Sequence, residues 1–562
     1  MARLLSAPGR HKNSWRSGVA AGLVAVTAGA SPPWAALAAP PTLDHQGTAA
    51  RLAVDGKPLL ILGGELGNSS ASSRAYMSKY WPKLKAMNLN TVLAPVSWEL
   101  IEDTEGRFDF SSVDGLLADA RAQDMHLVLL WFGAWKNSMS TYVPGWVKRD
   151  QARFPRVRSA NGASVEILSA FSPAVRDADA KAFAALMGHL KTADAGHNTV
   201  LMVQVENEIG MLPVAREWGE AANAAWAEAV PDALVRLLRE DKAKEPELRA
   251  LWQAHGARTS GSWAEMFGDA DSGQEVFTAW HYAQYADAIT RAGKAAYPLP
   301  MYVNVALNRA GKAPGDYPSG GPLPHLIDVW KTGAPSLDLI APDIYFPSFS
   351  DLAGRYHRAD NPLFIPEANN VSAPEVPANA FYAIGDLDAL GFSPFSIENA
   401  EAKSQAALTE AYSLLRQLTP AILKAQGLGR MAGFKPRVLE DGTVLDTPVT
   451  RTLGDYRFTV GFIDSWTPKA EQDTASHGGL IIQTGPEEYL IAGRGLIVTV
   501  AGATPDGPPL AGIDKAIEGT FDPQGRWVPG RTLNGDQTHQ GRHIRLAPDQ
   551  FQIQRVTLYR YR

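Results

Sequence analysis

Two stretches of this 562-residue chain place carboxylates where a reaction can use them. One is V-Q-V-E-N-E-I-G at 203–210, and the other is L-F-I-P-E-A-N at 363–369. Each reads as a short apolar strand ending in polar residues. Asn207 and Glu208 then stand at the exit of one strand, and Glu367 at the exit of another. Two opposed carboxyl groups are the minimum equipment for glycoside hydrolysis: one protonates the leaving oxygen, and the other attacks the anomeric carbon or activates water. Taken alone, a glutamate at a strand end is often only a structural hydrogen-bonding group, so the pairing carries the reading. Glu206 competes with Glu208, because positions 206 and 208 share a face of an ideal strand. It lies one step deeper, which assigns it to a hydrogen-bonded layer inside the fold.

The elements that must hold these groups are legible as alternating patterns. Short apolar runs predict strands at 58–66, 90–98, 125–131, 199–205, 301–305, 337–345, 362–366 and 392–397. Helical spacing is expected at 74–87, 113–122, 174–190, 276–295, 351–358, 378–387 and 401–423. The run M-H-L-V-L-L-W at 125–131 is nearly all apolar, as befits a parallel strand covered on both faces. Eight such units predict a (β/α)8 TIM barrel over 39–426, with a charged, Trp-containing insertion near 213–263. In that fold reactive groups sit at the C-terminal strand ends, and the fourth and seventh strands face each other across the mouth. The alternative, a doubly wound open sheet, has no G-x-G-x-x-G or P-loop glycine pattern to support it. After Gly427 the texture changes to short β-rich segments punctuated by Gly, Pro and Asp. These predict a smaller, C-terminal antiparallel β-sandwich-like domain over 427–562. It shows no clear exposed aromatic platform, so bracing of the barrel is its expected role.

Composition narrows the chemistry. With 45% hydrophobic and 20% charged residues the chain is not disordered. Lys and Arg number 53 against 59 Asp and Glu, a net charge of −6 that indicates no nucleic-acid partner. Zero cysteines exclude disulfides, thiolate metal sites and cysteine nucleophiles. His126, His281 and His325 are scattered, there is no H-E-x-x-H motif, and no G-x-S-x-G elbow occurs. Neither a metal nor a cofactor is therefore expected. At the N-terminus Arg3, Arg10, Lys12 and Arg16 precede an apolar run, Gly18–Ala30, that is too short to span a bilayer. Ala36-Leu37-Ala38 then forms an A-x-A cleavage pattern. Residues 1–38 are expected to be a secretory signal peptide, making the protein periplasmic or secreted and free of the membrane after cleavage. An uncleaved anchor is the alternative. No pattern specifies an oligomeric state.

V-Q-V-E-N-E-I-G, I-P-E-A-N, the block P-V-S-W-E-L-I-E-D-T-E-G-R-F-D-F at 95–110 and the G-G-E at 63–65 together carry a resemblance. The sequence resembles the large barrel clan of retaining glycosidases and, within it, glycoside hydrolase family 35, the β-galactosidases. The likeness covers most of residues 50–425. The tail, with G-D-Y-R-F-T-V-G-F at 454–462 and G-G-L-I-I-Q-T-G-P at 478–486, is similar to the accessory β domain of a bacterial branch, some members of which remove galactose from xyloglucan side chains. The resemblance implies an exo-β-galactosidase acting on plant-derived oligosaccharides. It assigns Glu208 as acid/base and Glu367 as nucleophile, sets Asn207 beside the sugar 2-hydroxyl, and places Tyr345 where a tyrosine holds the nucleophile. Strand three departs from the family, with L-L-W-F-G-A-W-K-N in place of an arginine-rich R-P-G-P-Y stretch. The W-F-G-A-W segment and the W-E-x-x-E-x-x-E-G-x-F-D-F pattern also resemble family 42, another β-galactosidase family. A β-glucosidase or mannan-active enzyme of the clan, and a silent carbohydrate-binding protein, are the competing readings.

The roles also follow from electrostatics. Glu367 must be ionised to attack, and a tyrosine hydroxyl would stabilise its charged form. Glu208 must first be protonated, and burial beside a second carboxylate favours that. Retention requires the carboxyl groups about 5–5.5 Å apart, whereas about 9 Å would mean inversion. Glu65 is either a ligand for sugar hydroxyls or a barrel-floor group; Glu99 and Glu398 are weaker candidates of the same kind. Trp98, Trp131 and Trp135 lie at or just after strand ends, where a sugar face can stack or a core can pack. Trp218, Trp252 and Trp263 can shape the leaving-group side or pack the insertion.

Overall fold

Seven parallel strands curl around a common axis in the computed structural model, which describes residues 39–504 and 507–562. Their order is Leu339–Asp343, Met301–Ala306, Val200–Gln204, His126–Phe132, Thr91–Ser97, Ile61–Glu65 and Gly391–Phe392. The expected signal peptide lies outside the described residues.

The seventh predicted strand is not a regular one. Residues 363–369 instead stitch the two ends of the sheet together through isolated parallel bridges, Asp343 to Glu367 and Ile365 to Phe392. The Ile344 N–H donates to the Glu367 carbonyl at 2.8 Å, and the Ser393 N–H to the Ile365 carbonyl at 3.0 Å. Pro362 and Pro366 have no N–H to give, so the ladder cannot run continuously. The barrel therefore closes through the segment that carries Glu367. Pro82 has a related effect on the first helix: the predicted span 74–87 divides into Arg74–Met77 and Trp81–Ala86.

Alternation along the strands sorts side chains into two layers. Val128, Leu130 and Phe132 point inward with Ile61, Leu93, Tyr302, Leu339 and Phe364. Leu127, Leu129 and Trp131 point outward against the helices. Leu52 and Val54 of an N-terminal three-stranded sheet join the inner cluster, so this sheet plugs one end of the barrel. The insertion forms helices Glu220–Ala227, Asp232–Arg239, Pro246–Ala254 and Trp263–Phe267 ahead of the long helix Asp271–Ala296.

From Met431 onward the chain forms an antiparallel sheet of ten strands. Phe434, Tyr456, Phe458, Ile481 and Tyr489 fill its own core. Leu480, Ile482, Leu490 and Ala492 face the other way and merge with the helix layer of the barrel. The sheet thus covers apolar barrel surface that water would otherwise meet. Contact is close at Gly433, where an added Cβ would stand 2.7 Å from the Asp386 nitrogen and 3.0 Å from the Phe381 carbonyl oxygen. Both neighbours are backbone of helix Val376–Asp386 and cannot swing away. Gly433→Val is expected to destabilise the protein by about 1–3 kcal/mol, read as a lower urea midpoint. An unchanged midpoint would mean the seam is looser than these distances.

Candidate active site

Glu208 and Glu367 converge. One carboxylate oxygen from each, together with one from Asp343, lie within 4.8 Å of one another. Glu208 is 7% exposed and Glu367 4%, so both carboxyls are largely removed from bulk solvent. The Tyr345 hydroxyl donates to Glu367 Oε2 at 2.6 Å. Its ring is 40% exposed and stands edge-on to Phe395 at the mouth.

Two strand exits cooperate to present Glu208. The Asn207 N–H donates to the Trp135 carbonyl at 3.2 Å, and the Ser138 N–H to the Glu208 carbonyl at 3.2 Å. The backbone turns sharply at both exits: φ is +59° at Glu206, +46° at Glu208, +51° at Asn137 and +58° at Ser138. Left-handed non-glycine residues cost about 1–3 kcal/mol each and persist only where their surroundings hold them. The Asn137 amide donates to the Glu208 carboxylate. The Lys136 ammonium donates to the Asn137 carbonyl and lies over the Phe132 ring, 5.1 Å from its centroid. From the other side Asn304 Oδ1 accepts the Glu208 N–H at 2.8 Å, and Asn304 Nδ2 donates to Asp343 Oδ2 at 2.6 Å.

The electrostatics separate the carboxyl groups. Burial, and next the charge of Glu367, push Glu208 up to about 7, although Lys136 pulls the other way. Glu65 is wholly buried with both oxygens unpartnered. Burial and then Glu367 hold it well above the usual carboxylate range. Asp343 is raised in the same way, by burial first and then by Glu367. Burial and the neighbouring charge of Glu367 thus both favour the protonated forms of Glu65 and Asp343. Asn207 is fully buried at the strand exit with both side-chain polar atoms unpartnered, so its hydrogen-bonding capacity is open.

The three tryptophans proposed as sugar platforms are core residues instead. Trp98 is fully buried edge-on to Trp146, and its indole donates to Glu102 Oε2 at 2.7 Å. The other Glu102 oxygen accepts the Gly106 N–H, so the W-E-x-x-E block locks its own turn. Trp131 points outward onto Phe183 and donates to Asp179 at 2.9 Å. Trp135 is wedged between Tyr282 and Tyr285 of the long helix. None of the three offers a sugar an open face. In the insertion, Trp218 stacks under Arg216 at 3.6 Å, and Trp263 is buried against Phe277 of the long helix, which packs the insertion onto the barrel. Glu99 pairs with Lys148 at 2.8 Å, and Glu398 accepts from Ser70 and the Gly67 N–H, so both are structural.

Sequence reasoning missed Lys136, Asn137, Asn304 and Asp343. A signal existed for three of them. Asp343 ends a strand two positions before Tyr345, and Lys136-Asn137 directly follows W-F-G-A-W. Asn304 is a single polar residue in an otherwise apolar strand and resembles any satisfied interior amide.

Barrel and site together define the class: a (β/α)8-type fold with paired carboxyls at opposed strand exits, followed by an antiparallel β domain. Residues 51–261 match glycosyl hydrolases family 35, and residues 408–545 match a domain of unknown function, DUF5597. The chain is 33% identical over 182 residues to a β-galactosidase of Xanthomonas manihotis, a match covering 30% of this chain and 27% of that protein. Among solved structures, the β-galactosidase of the psychrophilic Marinomonas ef1 aligns with a TM-score of 0.43 and 13% identity, over 65% of this chain and 60% of that one. That of Bacillus circulans sp. alkalophilus aligns with a TM-score of 0.44 and 16% identity, over 65% and 57%. The chain thus spans about a quarter of the curated relative and under two thirds of these structures.

Proposed function

We propose that the protein is a retaining exo-β-galactosidase that removes terminal galactose from plant-derived oligosaccharides, xyloglucan side chains in particular. The carrying observation is the convergence of Glu208 and Glu367: one carboxylate oxygen of each lies within 4.8 Å of the other, nearer the about 5–5.5 Å of double displacement than the about 6.5–9.5 Å of inversion. In this reading Glu367 attacks the anomeric carbon while Glu208 gives its proton to the departing oxygen. A covalent glycosyl-enzyme forms, and the charge of Glu367 disappears. Glu208, ionised by that transfer, loses its repulsive neighbour, stays ionised, and takes a proton from the incoming water. Asn207 serves the sugar 2-hydroxyl, and Glu65 and Asp343 present protons from the floor. The β-galactosidase relative and the family 35 match support the sugar assignment. The xyloglucan assignment rests on the likeness of the tail sequence. Export after removal of residues 1–38 belongs to the same proposal; among the described residues no helix is long and apolar enough to cross a membrane.

A panel of nitrophenyl glycosides tests the reading. Turnover of the β-galactoside is expected, with β-galactose formed first by proton NMR. Turnover of the glucoside alone would overturn the galactoside assignment, and no turnover of any sugar would favour a binding protein. The pH profile carries a sign. Glu208 must be protonated in the free enzyme, so kcat/KM is expected to fall as pH rises through about 7.

A further inference from the structure

Behind Glu208, on the helix side of the sheet, lies a second pair of carboxyls that the reaction does not use. Asp179, from helix Pro173–Ala193, and Glu206 are both fully buried. Asp179 accepts three hydrogen bonds: from the Trp131 indole at 2.9 Å, the Ala134 N–H at 3.2 Å and the Tyr285 hydroxyl at 2.8 Å. Glu206 Oε2 accepts the Trp135 N–H at 2.7 Å, but its Oε1 has no donor. Asp179 Oδ1 and Glu206 Oε1 both lie 2.8 Å from where a Cβ on Gly133 would stand, so the two oxygens share one small space that only glycine leaves open. Among the described residues no ion pair reaches either group; Arg176, one turn earlier on the helix, pairs with Asp177 instead. A buried oxygen without a donor, next to a carboxylate without a cation, is satisfied most simply by a proton between them.

We propose that Asp179 and Glu206 share one proton, with Glu206 as the acid that donates to Asp179, and that this lock positions Glu208. Burial, which raises both groups, agrees with a retained proton. The lock ties three elements. Asp179 holds the helix and the exit of strand His126–Phe132 at Ala134, and Glu206 holds the neighbouring exit through Trp135. Glu206 itself has φ of +59° two residues before Glu208 at +46°. Without the lock those turns can relax, and the acid/base carboxyl moves off its line to the leaving oxygen. Glu206 is a positioning residue, since it acts through Glu208.

The kinetic consequence rests on the glycosidase reading, but the shared proton does not, and the test separates them. Infrared spectroscopy at neutral pH is expected to show the carbonyl stretch of a buried protonated carboxyl that disappears in Glu206→Gln. Other buried acids supply the same bands in both proteins and cancel in the difference. Glutamine can still accept from Trp135 and donate to Asp179, so Glu206→Gln is expected to keep kcat within about threefold. Glu206→Leu, of similar size, can do neither. It is expected to lose about 100-fold in kcat with KM nearly unchanged, as misplacement of a reacting group by about 1 Å does. Loss in Glu206→Gln equal to that in Glu206→Leu, or an absent difference band, would overturn the proposal. So would a Glu206→Leu protein with normal kcat. If wild-type protein turns over no glycoside, the infrared band still decides the proton.

Discussion

Glu367→Gln is expected to reduce turnover of a β-galactoside by about 10⁴-fold or more while the protein stays folded, because it removes the attacking group of a covalent mechanism. The exchange is close to isosteric, and the amide oxygen can still accept the Tyr345 hydroxyl that now lies 2.6 Å from Glu367 Oε2. The fold is expected to persist. Glu367 raises Glu65, Glu208 and Asp343 alike, so its charge opposes the ionisation of these three buried acids. The exchange relieves that opposition without adding volume. The same relief fixes a second readout. Glu208, now pushed up to about 7, is expected to titrate lower in the variant, as followed by carboxyl carbon NMR. Near-normal turnover in Glu367→Gln would remove Glu367 from the role of nucleophile.

The second large effect concerns Glu208→Ala. Its magnitude depends on the leaving group, because a general acid supplies about 10²–10⁴-fold and matters most where the departing oxygen is basic. With an unactivated disaccharide the loss is expected at the upper end of that range. With dinitrophenyl β-galactoside the first step needs little help, so the covalent intermediate forms and accumulates for want of a base. Azide, which needs no deprotonation, is expected to restore turnover and to yield β-galactosyl azide. An α-galactosyl azide would mean that no covalent intermediate precedes the second step and would overturn retention. Absence of any rescue would place the acid/base elsewhere. The Asn137 amide that donates to Glu208 loses that acceptor in the variant.

How far the sequence reaches is clearest at particular residues. Glu208 and Glu367 are legible because each follows an apolar run with strand character, and a parallel barrel sends all such exits to one rim. Tyr345 is legible only through the family resemblance, at the tyrosine of A-P-D-I-Y-F. The tryptophans mislead for a physical reason. Trp131 alternates outward from the strand, and Trp98 and Trp135 turn away after it, so nearness to an exit in sequence says nothing about the direction of a ring. The strand at 362–366 misleads in a milder way: its pattern is apolar, but its prolines reduce the ladder to bridges. Asp179 is the least legible. It sits in the acidic, alanine-rich face of a long helix, where nothing distinguishes it from a solvated aspartate until the helix is docked.

Local pattern alone determined the barrel, the β domain after it and the two opposed carboxylates, because periodicity and strand exits are written in residues close together in the chain. The docking of distant segments decided the rest: that Glu208 is pushed up to about 7, that Glu65 and Asp343 are raised above the usual carboxylate range, and that Glu206 faces Asp179 rather than the sugar. Charge states and hydrogen-bond partners depend on dielectric and on separations of a few ångströms. Both are properties of packing between residues far apart in sequence, and they come into existence only when the chain has folded.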